Sequence, residues 1–161
     1  MRVSKCDLPK NSALWEKVAG GDFIDCYCIE AQATPRSAAQ IITMFPFWAR
    51  ILLRIRGLVT APFGLSTDGP DAKDKVGPFP VESETDEELI AGFDDKHLEF
   101  RVAVRTEAGQ VYLATWVQPH NLGGRIYLFC IMPFHILIAR DALRRVRRRS
   151  LDLDRTIREV S

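Results

Sequence analysis

The chain has 161 residues, 47% of them hydrophobic and 27% charged, with 22 basic side chains against 21 acidic ones. That is enough apolar matter to bury one core without a disulfide or a metal staple. A net charge of +1 excludes any overall pull toward nucleic acid, so an electrostatic role has to come from how the charges are distributed.

The first ten residues, MRVSKCDLPK, lack the apolar stretch of an export signal. A cytoplasmic, reducing location is therefore expected, with Cys6, Cys26, Cys28 and Cys130 as thiols. Asn11 to Ala19 reads as a short helix, capped by Asn11 or Ser12 and stopped by Gly20-Gly21. DFIDCYCIEA, residues 22 to 31, alternates as a strand: Phe23, Asp25, Tyr27 and Ile29 face one way, Ile24, Cys26, Cys28 and Glu30 the other. Thr34 then caps a helix with Pro35 at its first position.

Ser37 to Val59 is helical, and Pro46 splits it in two by removing a backbone donor. In the second piece Phe47, Ile51, Leu52, Ile55, Leu58 and Val59 form an apolar stripe, with Arg50 and Arg54 expected opposite. Arg50, Arg54 and Arg56, with Pro46 and Pro62, exclude a membrane span over Ile41 to Phe63. Ser66 to Lys75 is a polar loop. Strands are expected at Phe79–Glu84, Glu88–Phe93, Leu98–Glu107, Gln110–Pro119 and Arg125–Met132, joined as antiparallel hairpins by Ala108-Gly109 and Leu122-Gly123-Gly124. Along the third of these, Leu98, Phe100, Val102 and Val104 alternate with charged residues, so one face meets the core. A final helix is expected from Phe134 to Arg149, with Phe134, Leu137, Ile138, Ala142 and Val146 turned inward. Residues 150–161 read as a tail of the same single domain, 1–161.

The stretches FPFWARILLRIRGLVTAPFGL, DDKHLEFRV, PHN with GRIY, and PFHILIARDALRRV occur together and in this order. In this combination the chain resembles a bacterial family known as domain of unknown function 2867, from about Asp22 to Arg149. The element order also resembles the helix-grip fold of the START and birch-pollen-allergen (SRPBCC-like) superfamily. That resemblance implies an α+β fold in which a curved antiparallel sheet of about six or seven strands grips a C-terminal helix, often with an apolar cavity between them. It brings no reaction with it.

The three histidines, His97, His120 and His135, all sit at element boundaries. His97 precedes one strand and His120 follows its hairpin partner, which places both at the same end of the sheet. They are the candidate acid–base residues, with Arg101 and Asn121 beside them, against the plainer role of tying hairpin ends together. Arg101, Trp116, Asn121, Tyr127 and His135 are the candidate ligand-binding residues; Tyr112, Phe129 and Glu30 are further wall candidates, most of them core in the plainer reading. No His-x-x-x-His or Glu-x-x-His spacing points to a metal, and no phosphate-binding or dinucleotide glycine motif points to a cofactor. Cys26 and Cys28 are expected to pack as small hydrophobes. ESETDEE, residues 82 to 88, reads as a solvated hairpin because it lacks a calcium loop's ligand alternation.

Arg140, Arg144, Arg145, Arg147, Arg148 and Arg149 are expected on the wet face of the last helix, with weak contact to an anionic membrane through Arg144, Arg145 and Arg148 as a further role. The leading expectation is a small apolar or amphipathic partner bound between sheet and helix. The alternatives are an enzyme using a histidine in the same cavity and a membrane-surface or partner-binding module.

Overall fold

A computed structural model describes residues 2–60 and 70–160, with the side chains of residues 56, 58–60, 154 and 157–160 left out. The expected side-chain positions of Arg56, Leu58 and Val59 on their helix, and the first part of the expected loop, residues 66–69, lie outside the described residues. The elements run β1 (Ser4–Lys5), a 3-10 turn (Ala13–Glu16), β2 (Phe23–Glu30), α1 (Pro35–Thr43), α2 (Phe47–Thr60), β3 (Lys75–Val76), β4 (Phe79–Glu84), β5 (Glu88–Asp94), β6 (Leu98–Glu107), β7 (Gln110–Pro119) and α3 (Leu122–Val160). The fold class is α+β. One open sheet holds seven strands in the order β1-β2-β7-β6-β5-β4-β3, and every neighbouring pair is antiparallel.

The hairpin β6–β7 turns at Ala108 and Gly109, with φ of 49° and 75°. Two successive left-handed residues match the twist of the flanking strands, which is why the loop needs only two residues. β7 also pairs along its whole length with β2, from Phe23 opposite Val117 to Glu30 opposite Gln110. Alternation then sorts the sheet into two faces. Tyr27, Ile29, Leu89, Ala91, Val104, Val111 and Leu113 meet α1 and α3 in the larger core, together with Ala38, Ala39, Ala142, Leu143 and Val146. Cys26, Ile90, Ala103, Ala114 and Trp116 face the other way and are covered by Leu8 and Leu14 of the N-terminal segment.

That segment is held by Glu88. Ser12 Oγ and Ala13 N both donate to its carboxylate, so Glu88 is buried, unlike the rest of the solvated β4–β5 turn. The expected helix from Asn11 to Ala19 is only a 3-10 turn, with Ser12 as its cap. α1 begins as expected: Thr34 accepts from Ser37 N while Ser37 Oγ accepts from Thr34 N, and Pro35 follows the cap. It stops before Pro46, and the axis bends by 68° into α2.

Several expectations are corrected. Arg125–Met132 is not a strand but the start of α3, which runs on through the expected tail to Val160. Gly123-Gly124 is not a hairpin turn: Asn121 Oδ1 accepts from Gly124 N at 2.9 Å and caps the helix. Gly124 is required because a Cβ there would stand 2.3 Å from the His97 carbonyl oxygen. Starting the helix this early fixes its rotation, so Phe134 and Leu137 turn outward while Ala139, Ala142, Leu143 and Val146 turn in. Lastly, Arg145 does not sit on the wet face. Its guanidinium donates to the carbonyls of Ile41 (2.6 Å), Met44 (2.6 Å) and Ile42 (3.3 Å), and to Asp141 at 3.0 Å. These are the orphan carbonyls at the end of α1, so one side chain caps one helix and clamps it to another. Arg147 is half-buried, whereas Arg144, Arg148 and Arg149 are exposed.

Candidate functional site

Between the inner face of the sheet and α3 lies a cavity of about 190 Å³. Phe23, Phe100, Val102, Leu113, Thr115 and Val117 form its sheet wall. Tyr127, Ile131, Met132, His135 and Ile138 form its helix wall, and Thr43 and Phe45 close the end where α1 stops. Each strand contributes alternate residues, so the wall is apolar for the same reason that the core is. The exception is a polar corner. Asp25 lies on the inner face of β2, buried, directly opposite Thr115. His135 reaches it from α3, with Nε2 at 3.2 and 3.3 Å from the two carboxylate oxygens. Phe23 packs edge-on to the imidazole at 6.5 Å between ring centres.

Tyr27 stands two residues along the same face. Burial and then the Asp25 carboxylate push its phenol up, while Arg140, 5.8 Å above its ring, works the other way. The phenol therefore keeps its proton and remains a donor near Asp25. Of these groups the His135 imidazole and the Thr115 hydroxyl line the cavity, with the Asp25 carboxylate behind the imidazole, in an otherwise largely apolar space. Such a space accepts an apolar body with a single polar end.

The other sequence candidates divide by face. Tyr127 and His135 line the cavity. Trp116 and Arg101 are cross-strand partners on the opposite face. Trp116 Nε1 donates to Asp22 at 2.9 Å, and Arg101 pairs with Glu82 and Glu99. His97, His120 and Asn121 do come together at one end of the sheet: Asn121 Nδ2 is 3.2 Å from His97 Nδ1, and His120 N donates to the His97 carbonyl at 2.9 Å. They are not among the residues that line the cavity. His120 Nε2 instead lies 3.5 Å from Asp94, and their ligating atoms with those of Glu99 fall within 4.8 Å of one another. Arg101 already neutralises Glu99 there, at 3.0 Å. Asp25 and Thr115 were missed in the sequence. A carboxylate between Phe23 and Tyr27 on a core-facing strand was the available signal.

On the outer face the cysteines are free and mostly buried. Cys6 Sγ donates to Cys26 Sγ at 3.6 Å, and Ser4 Oγ lies 3.5 Å from Cys28 Sγ. The bond to Cys26 and then burial push the Cys6 thiol up, and burial does the same for Cys28. Both therefore stay protonated and pack as small apolar groups.

Asp22 carries a testable pH dependence. Burial pushes its carboxyl up, but hydrogen bonds from Ala19 N, Trp116 Nε1 and Gln118 Nε2 outweigh that and hold it below the ordinary value. A depressed folded pKa stabilises the fold fully above the unfolded value of about 3.9, and that stabilisation is lost as pH falls through the lower folded value. Asp22→Ala is expected to cost about 1–2 kcal/mol at pH 7, because the buried indole N–H loses its acceptor. The gap to wild type should close in acid. Urea midpoints at neutral and acid pH test this, and a gap of the same size at both would refute it.

The architecture is thus that of an α+β protein with an antiparallel sheet, a long C-terminal helix across it and an apolar cavity between the two. The chain matches the family described as "Protein of unknown function (DUF2867)" over residues 18–142, and it belongs to that family. No curated protein and no solved structure matches it.

Proposed function

We propose that the protein binds a small apolar or amphipathic molecule in the cavity between the sheet and α3. The observation that carries this reading is an apolar space of about 190 Å³ with one polar corner, formed by Thr115 and by His135, whose imidazole is held from behind by the buried Asp25. Cavities of roughly 150 Å³ lined by apolar side chains stay dry and admit a benzene-sized guest. This one suits a single ring or a short acyl chain whose hydroxyl or carbonyl meets the corner. The strand order supports a helix-grip arrangement, since the first long strand pairs with the last and the final helix packs across both.

A second reading has one observation in its favour. An imidazole that shares a buried carboxylate and borders a cavity is the arrangement of an acid–base pair. In that reading His135 transfers a proton to or from the bound molecule while Asp25 orients it.

Native mass spectrometry of the freshly purified chain, followed by calorimetric titration with short-chain fatty acids and alcohols and with phenol, tests the binding. Ala139 lines the cavity, and Ala139→Leu should weaken binding about tenfold or more by filling it, at a stability cost of about 1–3 kcal/mol at most. The absence of both a co-purified molecule and measurable heat would sink the reading. Binding untouched by Ala139→Leu would move it elsewhere. Turnover abolished by His135→Gln with binding retained would select the enzyme.

A further inference from the structure

We propose that α2 and the outward face of the first half of α3 dock this protein flat on an anionic lipid surface. By length and composition, Leu122–Leu153 is apolar enough to cross a membrane, yet only 11% of its most apolar window is buried in the fold. The core helix of a compact domain would be mostly covered. Here Leu122 is 72% exposed and Phe129 83%, and Ile126, Phe134 and Leu137 continue the same outward stripe at helical spacing. The stripe then changes character and runs on as Arg140, Arg144 and Arg148, all exposed.

α2 repeats the pattern. Phe47 is 69% exposed, and Trp48, Ile51 and Ile55 are exposed with it. The arginines expected opposite this stripe in fact flank it: a three-residue spacing sets Arg50 beside Phe47 and Arg54 beside Ile51, and both are exposed. The segment joining α1 to α2 and the first half of α3 both line the cavity, through Phe45 and Tyr127, so α2 starts two residues from the cavity that α3 borders. Exposed apolar stripes of this extent on one chain mark a docking surface.

Charge decides what docks. No aspartate or glutamate occurs between Ala31 and Thr67, or between Ala108 and Arg140, so neither α2 nor the first half of α3 carries an acidic group. A second copy seated on this face about a two-fold axis would set arginines against arginines with no acidic partner. An anionic bilayer supplies the missing sign and takes up the aromatic and aliphatic groups at its interface. α3 lies on the surface rather than across the bilayer, because its opposite side lines the cavity and supplies Ala139, Ala142, Leu143 and Val146 to the core. The inference rests on the exposed surface and does not depend on what the cavity holds.

The test is flotation of the full chain with vesicles of phosphatidylcholine alone or with phosphatidylserine. Wild type should float with the anionic vesicles, less as salt rises, and not with the neutral ones. Arg50→Glu with Arg54→Glu should lower the partition by more than about tenfold, since each arginine near the surface contributes roughly fivefold. Phe129→Ser with Leu137→Ser should leave the melting temperature unchanged, because both side chains are exposed, yet lose most of the flotation. Absence of flotation at low salt overturns the proposal, as does flotation indifferent to both pairs of substitutions. A lipid-free dimer dissolved by Phe129→Ser would also overturn it, assigning the face to a second copy.

Discussion

Arg145→Ala should lower the melting temperature by about 6–12 °C. Its guanidinium donates to three carbonyls at the end of α1 and to Asp141. Hydrogen bonds to charged groups are worth about 1.5–3 kcal/mol each, and a lost partner also leaves half-buried carbonyls dry. Because Arg145 keeps some contact with solvent, a net cost of about 3 kcal/mol is the fair expectation for the set, and for a domain of this size each kcal/mol moves the midpoint by about 2–4 °C. Arg145→Lys should recover only part, since an ammonium lacks the planar fork that reaches several carbonyls at once. A thermal melt of the two variants checks this. A shift under about 2 °C for the alanine variant would show that α1 is held by its apolar face alone.

Glu88→Ala should cost about 3 kcal/mol, on the opposite side of the sheet. The carboxylate is 5% exposed and takes hydrogen bonds from the Ser12 hydroxyl and the Ala13 amide. Removing it leaves both donors unsatisfied beneath the N-terminal segment, and the loss of each costs about 1–3 kcal/mol. Glu88→Gln keeps one acceptor oxygen and should cost about half as much. The urea midpoint at pH 7 measures both. If the alanine variant unfolds within 1 kcal/mol of wild type, on the order of a surface substitution, the segment is anchored by Leu8 and Leu14 instead.

Much of the sheet was legible because its signals are local. Period-two alternation in Leu98–Val104 and a two-residue turn at Ala108-Gly109 state their own geometry. The start of α3 was not legible. A continuous run such as Ile126–Met132 suits a strand covered on both sides as well as it suits a helix, and Gly123-Gly124 imitates a turn. What distinguishes them is the His97 carbonyl pressing on Gly124, a contact between residues far apart in the chain. The same limit applies to the candidate site. Tyr127 and His135 could be named from the sequence. Trp116 and Arg101 could have been assigned by parity to the face away from Leu113 and Phe100. Nothing local joins Asp25 to His135, since that pair exists only once α3 has crossed β2. The apolar stripe of α2 was visible too, but whether it would be covered depended on packing that no local pattern records.

The pairing of β2 with β7 also has a consequence in time. During synthesis, β2 emerges long before its partner: Glu30 pairs with Gln110 and Phe23 with Val117, so the strand waits for 80 to 94 residues to be added. At roughly 5–20 residues per second, that wait lasts about 4–19 s. Throughout it, a nascent chain carrying Phe23, Tyr27 and Ile29 on one side and Ile24, Cys26 and Cys28 on the other has only the two-residue β1 to pair with. The sheet closes only once β7 has emerged and slots between β2 and the completed hairpin of β5 and β6. A ribosome that stalls before residue 110 therefore leaves a sticky fragment for chaperones, and one released after residue 119 has every strand it needs.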